Sequence, residues 1–333
     1  MARRVRLRSL AKVNLDLRVL HKRADGFHNL RTVFQTISLA DTIVIEYEPA
    51  RRTVLDLDDP LAIPDNLMLR AARAGMDIMK VHARVRFRLQ KRIPMGGGLG
   101  GGSSNAAAVL LALPVLAGRG IPFDRLLELG AQLGSDVPFF LTGGTAVAIE
   151  RGTEFYGLPD LAPEPMLVVA PGIHVATGPA YAALGRGLTS PDLSRKINNF
   201  QLFVRALGDW RSAGAASTLS ANDFESAVFS QQPLLKKMWG RLRKHAAGAR
   251  MTGSGSALFA VFGSKAERDL AAKALEGDGV FEDCRVIPAS LVSGSSYRRL
   301  WRRQLAEYIE QTRSEQARTP RENLWPPRSR HAA

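Results

Sequence analysis

Between Pro94 and Ala108 the sequence reads Pro-Met-Gly-Gly-Gly-Leu-Gly-Gly-Gly-Ser-Ser-Asn-Ala-Ala-Ala, a backbone nearly stripped of side chains that runs directly into a helix-forming stretch. Glycines at 96, 97, 98, 100, 101 and 102 let the main chain turn its N–H groups toward one point. Ser103, Ser104 and Asn105 then open a helix whose first N–H groups are free and whose dipole is positive at that end. Together these features suit an anion, phosphate above all. A Gly-rich linker is a poorer reading, because a strand-like run, Val85 to Gln90, precedes the glycines and a capped apolar helix follows them. Two other phosphate loops fail on inspection. Gly97 to Gly102 has P-loop spacing, but Ser103 stands where the lysine is required. Gly96, Gly98 and Gly101 satisfy G-x-G-x-x-G, yet the following helix leads to a second helical pattern, Phe123 to Leu133, and not to a strand ending in an acid.

The remaining pattern, Pro-x-x-x-Gly-Leu-Gly-x-x-Ser-Ser, resembles the ATP-binding loop of the GHMP kinases, which phosphorylate small molecules. Further blocks carry the resemblance to one branch: Ala11-Lys-Val-Asn-Leu15, Arg23-Ala-Asp-Gly-Phe-His-Asn-Leu30, Thr32-Val-Phe-Gln35, Leu133-Gly-Ser-Asp-Val-Pro-Phe139, Ala221-Asn-Asp-Phe-Glu225 and Met251-Thr-Gly-Ser-Gly255. With the glycine loop they stand in the order seen in kinases that act on a cytidine diphosphate sugar alcohol of the methylerythritol phosphate route to isoprenoids. The likeness covers roughly residues 8 to 292. Each block is weak by itself; their order is specific.

The resemblance implies roles for particular residues. Asp136 matches the general base that accepts the substrate proton, and Lys12 its cationic partner. Pro94, Met95, Gly96, Gly97, Gly98, Leu99, Gly100, Gly101, Gly102, Ser103 and Ser104, with Asn66 and Lys91, fall where the family meets ATP. Phe27 and Tyr181 match aromatics that sandwich the cytosine ring while His28 bonds its edge, Phe27 standing where Tyr is more usual. Asn14 and Thr177 match contacts to the sugar alcohol or diphosphate. Gly253 and Gly255 match a second glycine turn beside the phosphates or acceptor. Mg²⁺ is expected with ATP, held mostly by phosphate oxygens and water, with Ser103 or Ser104 as a candidate protein oxygen. Outside the motifs plainer readings stand: Asp136 as a helix cap, Lys12 and Lys91 as solvated strand residues, Phe27 and Tyr181 as core, and Gly253 and Gly255 as a bare turn.

These residues need elements to hold them. Val13 to Leu20 and Arg84 to Leu89 alternate as half-buried strands do. Asn66 to Met79 has helical spacing, apolar strands are expected at Thr145–Ile149, Met166–Ala170 and Ala257–Phe262, and helices near 231–246 and 265–275. Pro114 predicts an early end to the helix after the glycine loop. The mixed order indicates an α+β protein. The resemblance implies the two-domain GHMP-kinase fold, an N-terminal domain with a left-handed β-α-β crossover and a C-terminal ferredoxin-like domain, with the site between them. Three prolines among residues 158–165 put the boundary near 160, giving 1–160 as the ATP-binding domain, 161–297 as the C-terminal domain and 298–333 as a tail.

The chain's net charge is +15, but residues 1–23 hold +7 and residues 298–333 hold +5, so the middle is close to neutral. A basic N-terminal hairpin beside an anion loop attracts polyphosphates. The tail places Trp301, Leu305, Tyr308 and Thr312 on one helical face, expected to pack on the body, before an Arg/Pro-rich stretch, 318–330, that reads as disordered. Six histidines show no metal spacing, and the single cysteine, Cys284, permits no internal disulfide and reads as buried and inert. Without an apolar run of about 20 residues or a leader-like segment, a cytoplasmic protein is expected, monomeric or homodimeric, with ATP and a cytidylyl alcohol as small-molecule substrates and no nucleic-acid or membrane-span partner. The competing readings are a homoserine- or mevalonate-type kinase, which would lack the Ala-Asp-Gly-Phe-His block, and a basic RNA-binding module.

Overall fold

A computed structural model of the chain describes residues 2–185, 192–210, 212–315 and 324–325. The first half opens with a long antiparallel hairpin, β1 (Arg3–Lys22) and β2 (His28–Pro49), followed by β3 (Val54–Asp58), α1 (Leu67–Met79), β4 (Ala83–Gln90) and α2 (Gly101–Ala117). Then come β5 (Ile121–Pro122), α3 (Phe123–Leu133), α4 (Val137–Thr142), β6 (Thr145–Ile149) and β7 (Glu154–Gly157). The sheet order is β3-β4-β2-β6-β7 with β1 on β2. Among the described strands only β3 and β4 pair in parallel, joined through α1 as a β-α-β unit.

The second half contains β8 (Pro165–Ala170), α5 (Thr177–Ala183), α6 (Leu193–Trp210), α7 (Ala213–Ala216), α8 (Phe224–Gln231), α9 (Pro233–Arg243), β9 (Arg250–Met251), β10 (Leu258–Val261), α10 (Lys265–Glu276) and β11 (Arg285–Ser290). Its antiparallel sheet runs β11-β8-β10-β9. With helices between β8 and β9 and between β10 and β11, this is the β-α-β-β-α-β order of a ferredoxin-like unit. The chain then continues into α11 (Gly294–Gln304), α12 (Ala306–Glu315) and β12 (Leu324–Trp325), which pairs with β5.

α2 is buried continuously from Ser104 to Leu116, as expected of a helix apolar on every side. Around it pack Leu7, Ile43, Met68 and Phe87. A second cluster spans both halves, joining Val13, Ile93 and Leu99 to Phe203, Ala257 and Phe259. Because β1 lies between the two bodies, every residue from Ser9 to Leu20 is buried. The half-buried strand read from alternation is therefore corrected: its polar residues face the interface between the halves, not water.

Three other expectations change. α2 continues past Pro114 to a left-handed Gly118, where Arg119 N–H meets Pro114 O at 2.9 Å and Gly118 N–H meets Val115 O at 3.2 Å. The proline falls in the last turns, and outside donors serve carbonyls there: Trp325 Nε1–H to Leu111 O and an Arg3 guanidinium N–H to Leu116 O, both at 2.7 Å. The tail packs on the first core through Tyr297, Trp301, Leu305 and Ile309, but as two helices divided at Leu305. Thr312 falls in α12 and its side chain lies outside the described residues; so does most of 318–330, although Leu324–Trp325 form a strand. Cys284 is half-buried, its Sγ 3.9 Å from Met238 Sδ, and burial pushes its thiol up.

Candidate active site

Gly100 is the N-cap of α2, so Ser103 and Ser104 sit in the first turn without capping it. Gly98 adopts φ +72°, and a Cβ there would overlap the Thr252 carbonyl oxygen. This close approach presses the phosphate loop onto the second glycine turn, where Ala257 N–H meets Gly97 O at 3.3 Å. Asn222 holds that turn by donating Nδ2–H to Met251 O and Gly253 O, both at 2.8 Å. The first strand is tied in by Lys12 N–H to Leu99 O at 3.0 Å. Ser104 is committed inward, donating to Leu10 O at 2.6 Å and accepting from Ser9 Oγ at 2.7 Å. Ser103 is partly exposed and its hydroxyl has no hydrogen-bond partner among the described residues.

Bulges in β1 between Leu10 and Lys12 and between Asn14 and Asp16 re-aim the strand where its chemistry lies. Lys12 is 4 % exposed. Its Nζ donates to Asn14 Oδ1 at 2.7 Å, lies 3.5 Å from Asp136 Oδ2, and sits 4.7 Å from the centre of the Phe34 ring. Burial pulls the Lys12 ammonium below its ordinary value, and the Asp136 charge opposes that shift. Asp136 occupies the N-cap position of α4 yet accepts no capping bond with its side chain. The carboxylate instead faces Lys12, which removes the plain cap reading. Asn14 Oδ1 also accepts from Gly253 N–H at 3.0 Å while its Nδ2–H donates to Thr32 Oγ1 at 2.8 Å, linking Lys12 to the second glycine turn.

Lys12 and Asp136 lie in a cavity of about 800 Å³ that also takes in Phe27, His28, Thr177, Tyr181 and Gly253. Phe27 is 55 % exposed, with the Arg151 guanidinium 4.7 Å from its ring centre. Tyr181 stacks on His28 at 4.7 Å and 20°, and meets Phe224 edge-on at 4.8 Å. The two expected sandwich residues are therefore each paired with a different neighbour. Burial pushes the Tyr181 phenol up to about 12, and burial together with Lys22 lowers His28. Thr177 Oγ1 lies 3.1 Å from Ser254 Oγ.

Of the phosphate loop only Gly98 lines this cavity; its other residues from Pro94 to Ser104, with Asn66, Lys91 and Gly255, lie outside the lining. Asn66 caps α1 through Met68 N–H to Oδ1 at 3.0 Å. Lys91 is ion-paired with buried Asp41, close beside Gly101. Met95 is 60 % exposed. Residues missed from the sequence are Lys22 and Arg151 on the cavity wall and Thr252 and Asn222 beneath the glycine turn. The last two fall inside recognised blocks. Arg151, in the β6–β7 connection, carries no local signal.

The profile of the GHMP kinases N terminal domain matches residues 66–144, and that of the GHMP kinases C terminal matches 201–279. The chain is 50 % identical over 330 residues to 4-diphosphocytidyl-2-C-methyl-D-erythritol kinase of Solibacter usitatus (strain Ellin6076), covering 99 % of this chain and 98 % of that one. It is 37 % identical over 262 residues to the protein of the same name from Dechloromonas aromatica (strain RCB), covering 78 % and 88 %. A crystal structure of 4-(cytidine 5'-diphospho)-2C-methyl-D-erythritol kinase aligns with TM-score 0.69 at 35 % identity over 87 % of this chain and 99 % of that one. Homoserine kinase from Cytophaga hutchinsonii ATCC 33406 also gives TM-score 0.69, over 87 % of this chain and 96 % of that one, but at 16 % identity it shows the fold alone. The fold is thus that of the GHMP kinases, and the chain is a phosphotransferase. Within that class it belongs to the 4-diphosphocytidyl-2-C-methyl-D-erythritol kinase family.

Proposed function

We infer that the chain transfers the γ-phosphoryl group of ATP to the 2-hydroxyl of 4-diphosphocytidyl-2-C-methyl-D-erythritol. The observation that carries this reading is the Lys12–Asp136 pair, 3.5 Å apart, in one cavity with Phe27, His28 and Tyr181 and beside both glycine turns. Asp136 takes the proton of the 2-hydroxyl as its oxygen attacks phosphorus, and Lys12 offsets the growing negative charge. ADP leaves with the electron pair of the broken P–O bond. Asn14, already bonded to Lys12, fixes the direction of that ammonium.

The loop from Met95 to Ser103 supplies N–H groups to the phosphates, with Asn66, Lys91 and Pro94 on the adenosine side. Phe27, His28 and Tyr181 take the cytosine; Arg151 and Lys22 add positive charge toward the diphosphate. Thr177, Gly253 and Gly255 complete the acceptor side. Mg²⁺, held mainly by the nucleotide, supplies charge neutralisation at the transferring group. Ser103 is the fitting protein oxygen for it, since the Ser104 hydroxyl is already used twice. We divide the chain into an N-terminal ATP-binding domain, 1–160, a C-terminal domain, 161–297, and an appended tail, 298–333.

The test is ATP consumption by purified protein offered the cytidylyl alcohol, homoserine and mevalonate in parallel. Turnover with the cytidylyl alcohol alone is expected. Phosphorylation of homoserine or mevalonate, with no phosphorylation of the cytidylyl alcohol, would overturn the reading.

A further inference from the structure

The helix that carries Asp136 at its start is only six residues long and cannot hold its own far end. Phe139 O accepts from Gly143 N–H at 2.8 Å. The next carbonyl, Phe140 O, would ordinarily take Gly144 N–H, but that group is diverted to Thr36 Oγ1 at 2.6 Å. Phe140 O is served instead by the Tyr297 hydroxyl from α11, at 2.5 Å. The phenol is 1 % exposed, and its ring lies so close to Gly143 that any Cβ there would overlap it. α11 is itself pinned at its start: Asp160 accepts Gly294 N–H at 2.6 Å and Ser295 N–H at 3.0 Å.

The other side of Phe140 points at the chemistry. Its ring is so near the cap of the phosphate-loop helix that a Cβ on Gly100 would come within 2.8 Å of Phe140 Cζ and 3.1 Å of Lys12 Cγ. One short helix therefore bears Asp136 at its start, meets the cap of the phosphate-loop helix with Phe140 beside the place where Lys12 also approaches it, and is held at Phe140 O from the tail.

We propose that Tyr297 is a positioning residue for phosphoryl transfer: by holding the Phe140 carbonyl it fixes α4 and so the placing of Asp136 against Lys12. The proposal rests on Asp136 acting as the base. A phenylalanine would fill the same space beside Gly143 and Trp301 but would leave a buried carbonyl without its donor, and the short helix would shift toward another partner. Because the effect reaches the reacting atoms only through α4, it belongs to the chemical step and not to the binding of either substrate.

The experiment is a cycle of Tyr297→Phe, Asp136→Asn and the double variant, with kcat and both KM values measured well below each melting temperature. Tyr297→Phe is expected to lower kcat roughly 3- to 10-fold with both KM values within about twofold of wild type. In the Asp136→Asn background the same change should cost nothing further. Unchanged kcat, or an equal loss in both backgrounds, overturns the proposal. Leu305→Ala is the control for general loosening: Leu305 lies in the same core, eight residues further along the chain from Tyr297, so the change should lower the melting temperature and leave kcat intact. If it lowers kcat as Tyr297→Phe does, the role is only structural and the proposal falls. Near-normal turnover of Asp136→Asn alone overturns the base assignment and this proposal with it, whereas additivity overturns this proposal alone. Should Tyr297→Phe fail to fold, Asp160→Asn replaces it in the same cycle, because it loosens the start of α11 while keeping the phenol, and the same non-additive loss of kcat is expected.

Discussion

The nucleotide side and the acceptor side of the site are made of different material. On the nucleotide side the groups proposed to work are main-chain N–H groups, shaped by glycines and held by contacts such as Gly98 against Thr252. On the proposed acceptor side they are side chains lining one cavity, among them Lys12, Phe27, His28 and Arg151, delivered from separate strands and turns. A backbone cradle tolerates little change in shape but has no side chains to lose. A side-chain cavity can lose one contact at a time. Its exposed members, such as Phe27, should contribute modestly, while the proposed chemistry falls to buried Lys12 and half-buried Asp136.

That contrast predicts where damage is greatest. Asp136→Asn keeps the size of the side chain and removes its ability to take a proton, so kcat should fall by roughly 10² to 10⁴ with the KM for ATP nearly unchanged. Rapid-quench or steady-state kinetics would show it, and near-normal turnover would mean that positioning and charge suffice without a base. Gly98→Ala attacks the other side. It places a methyl against the Thr252 carbonyl at a left-handed φ of +72°, so the loop must move. The expected loss in kcat/KM for ATP is roughly 10- to 100-fold, with a lower melting temperature and a smaller change in the KM for the acceptor. If the acceptor KM rose as much as that for ATP, the division between the two sides would be wrong.

The same contrast explains what could be read in advance. The phosphate loop is local: six glycines and two serines within nine residues announce it, and the structure places them at the start of a buried helix. The fold class followed from mixed periodicity and the family blocks. The Lys12–Asp136 pair was legible only through the resemblance, since 124 positions separate residues that bulged β1 and the turn before α4 bring to 3.5 Å. Arg151 was not legible at all, because its meaning depends on Phe27 facing it across the cavity mouth. In the tail, periodicity found the buried face of Trp301 and Leu305 but not the break between α11 and α12. Nor did it show that Tyr297 would find a carbonyl partner in α4.

Arg151 offers a smaller and sharper test. Its guanidinium lies over an exposed ring, a contact worth about 0.5–1 kcal/mol in such a setting. Its charge toward a diphosphate adds to that. Arg151→Ala should therefore raise the KM for the cytidylyl alcohol roughly 3- to 10-fold while leaving kcat and the KM for ATP close to wild type. Isothermal titration with CDP alone would separate the two contributions. An Arg151→Lys variant that restores affinity for CDP would favour charge, and one that does not would favour the planar contact with Phe27. A rise confined to the KM for ATP would show that Arg151 serves the nucleotide side.

The smallest effect concerns what stands beneath the second glycine turn. Glu225 Oε1 accepts Met251 N–H at 2.9 Å, two residues before Gly253, so the second glycine turn rests on a half-buried carboxyl. Burial pushes Glu225 up to about 7 and nearby Asp16 up to about 6; Arg243 and Arg250 oppose the shift at Glu225, as Arg18 does at Asp16. A carboxyl whose folded value lies above its unfolded one keeps its proton in the folded chain after the unfolded chain has lost it. The stability it contributes is full below about pH 4.5 and is lost as the pH rises through about 7. The wild-type melting temperature should accordingly fall between pH 5 and pH 8 by more than that of Glu225→Gln. The glutamine copies the protonated form and still accepts the Met251 N–H. The difference between the two slopes is expected to be on the order of 2–5 °C, with Asp16 supplying the slope that remains. If both proteins melt in parallel across this range, Glu225 is ionised in the fold throughout. The second glycine turn then stands on the Arg243, Arg250 and Glu225 charges, and not on a protonated acid.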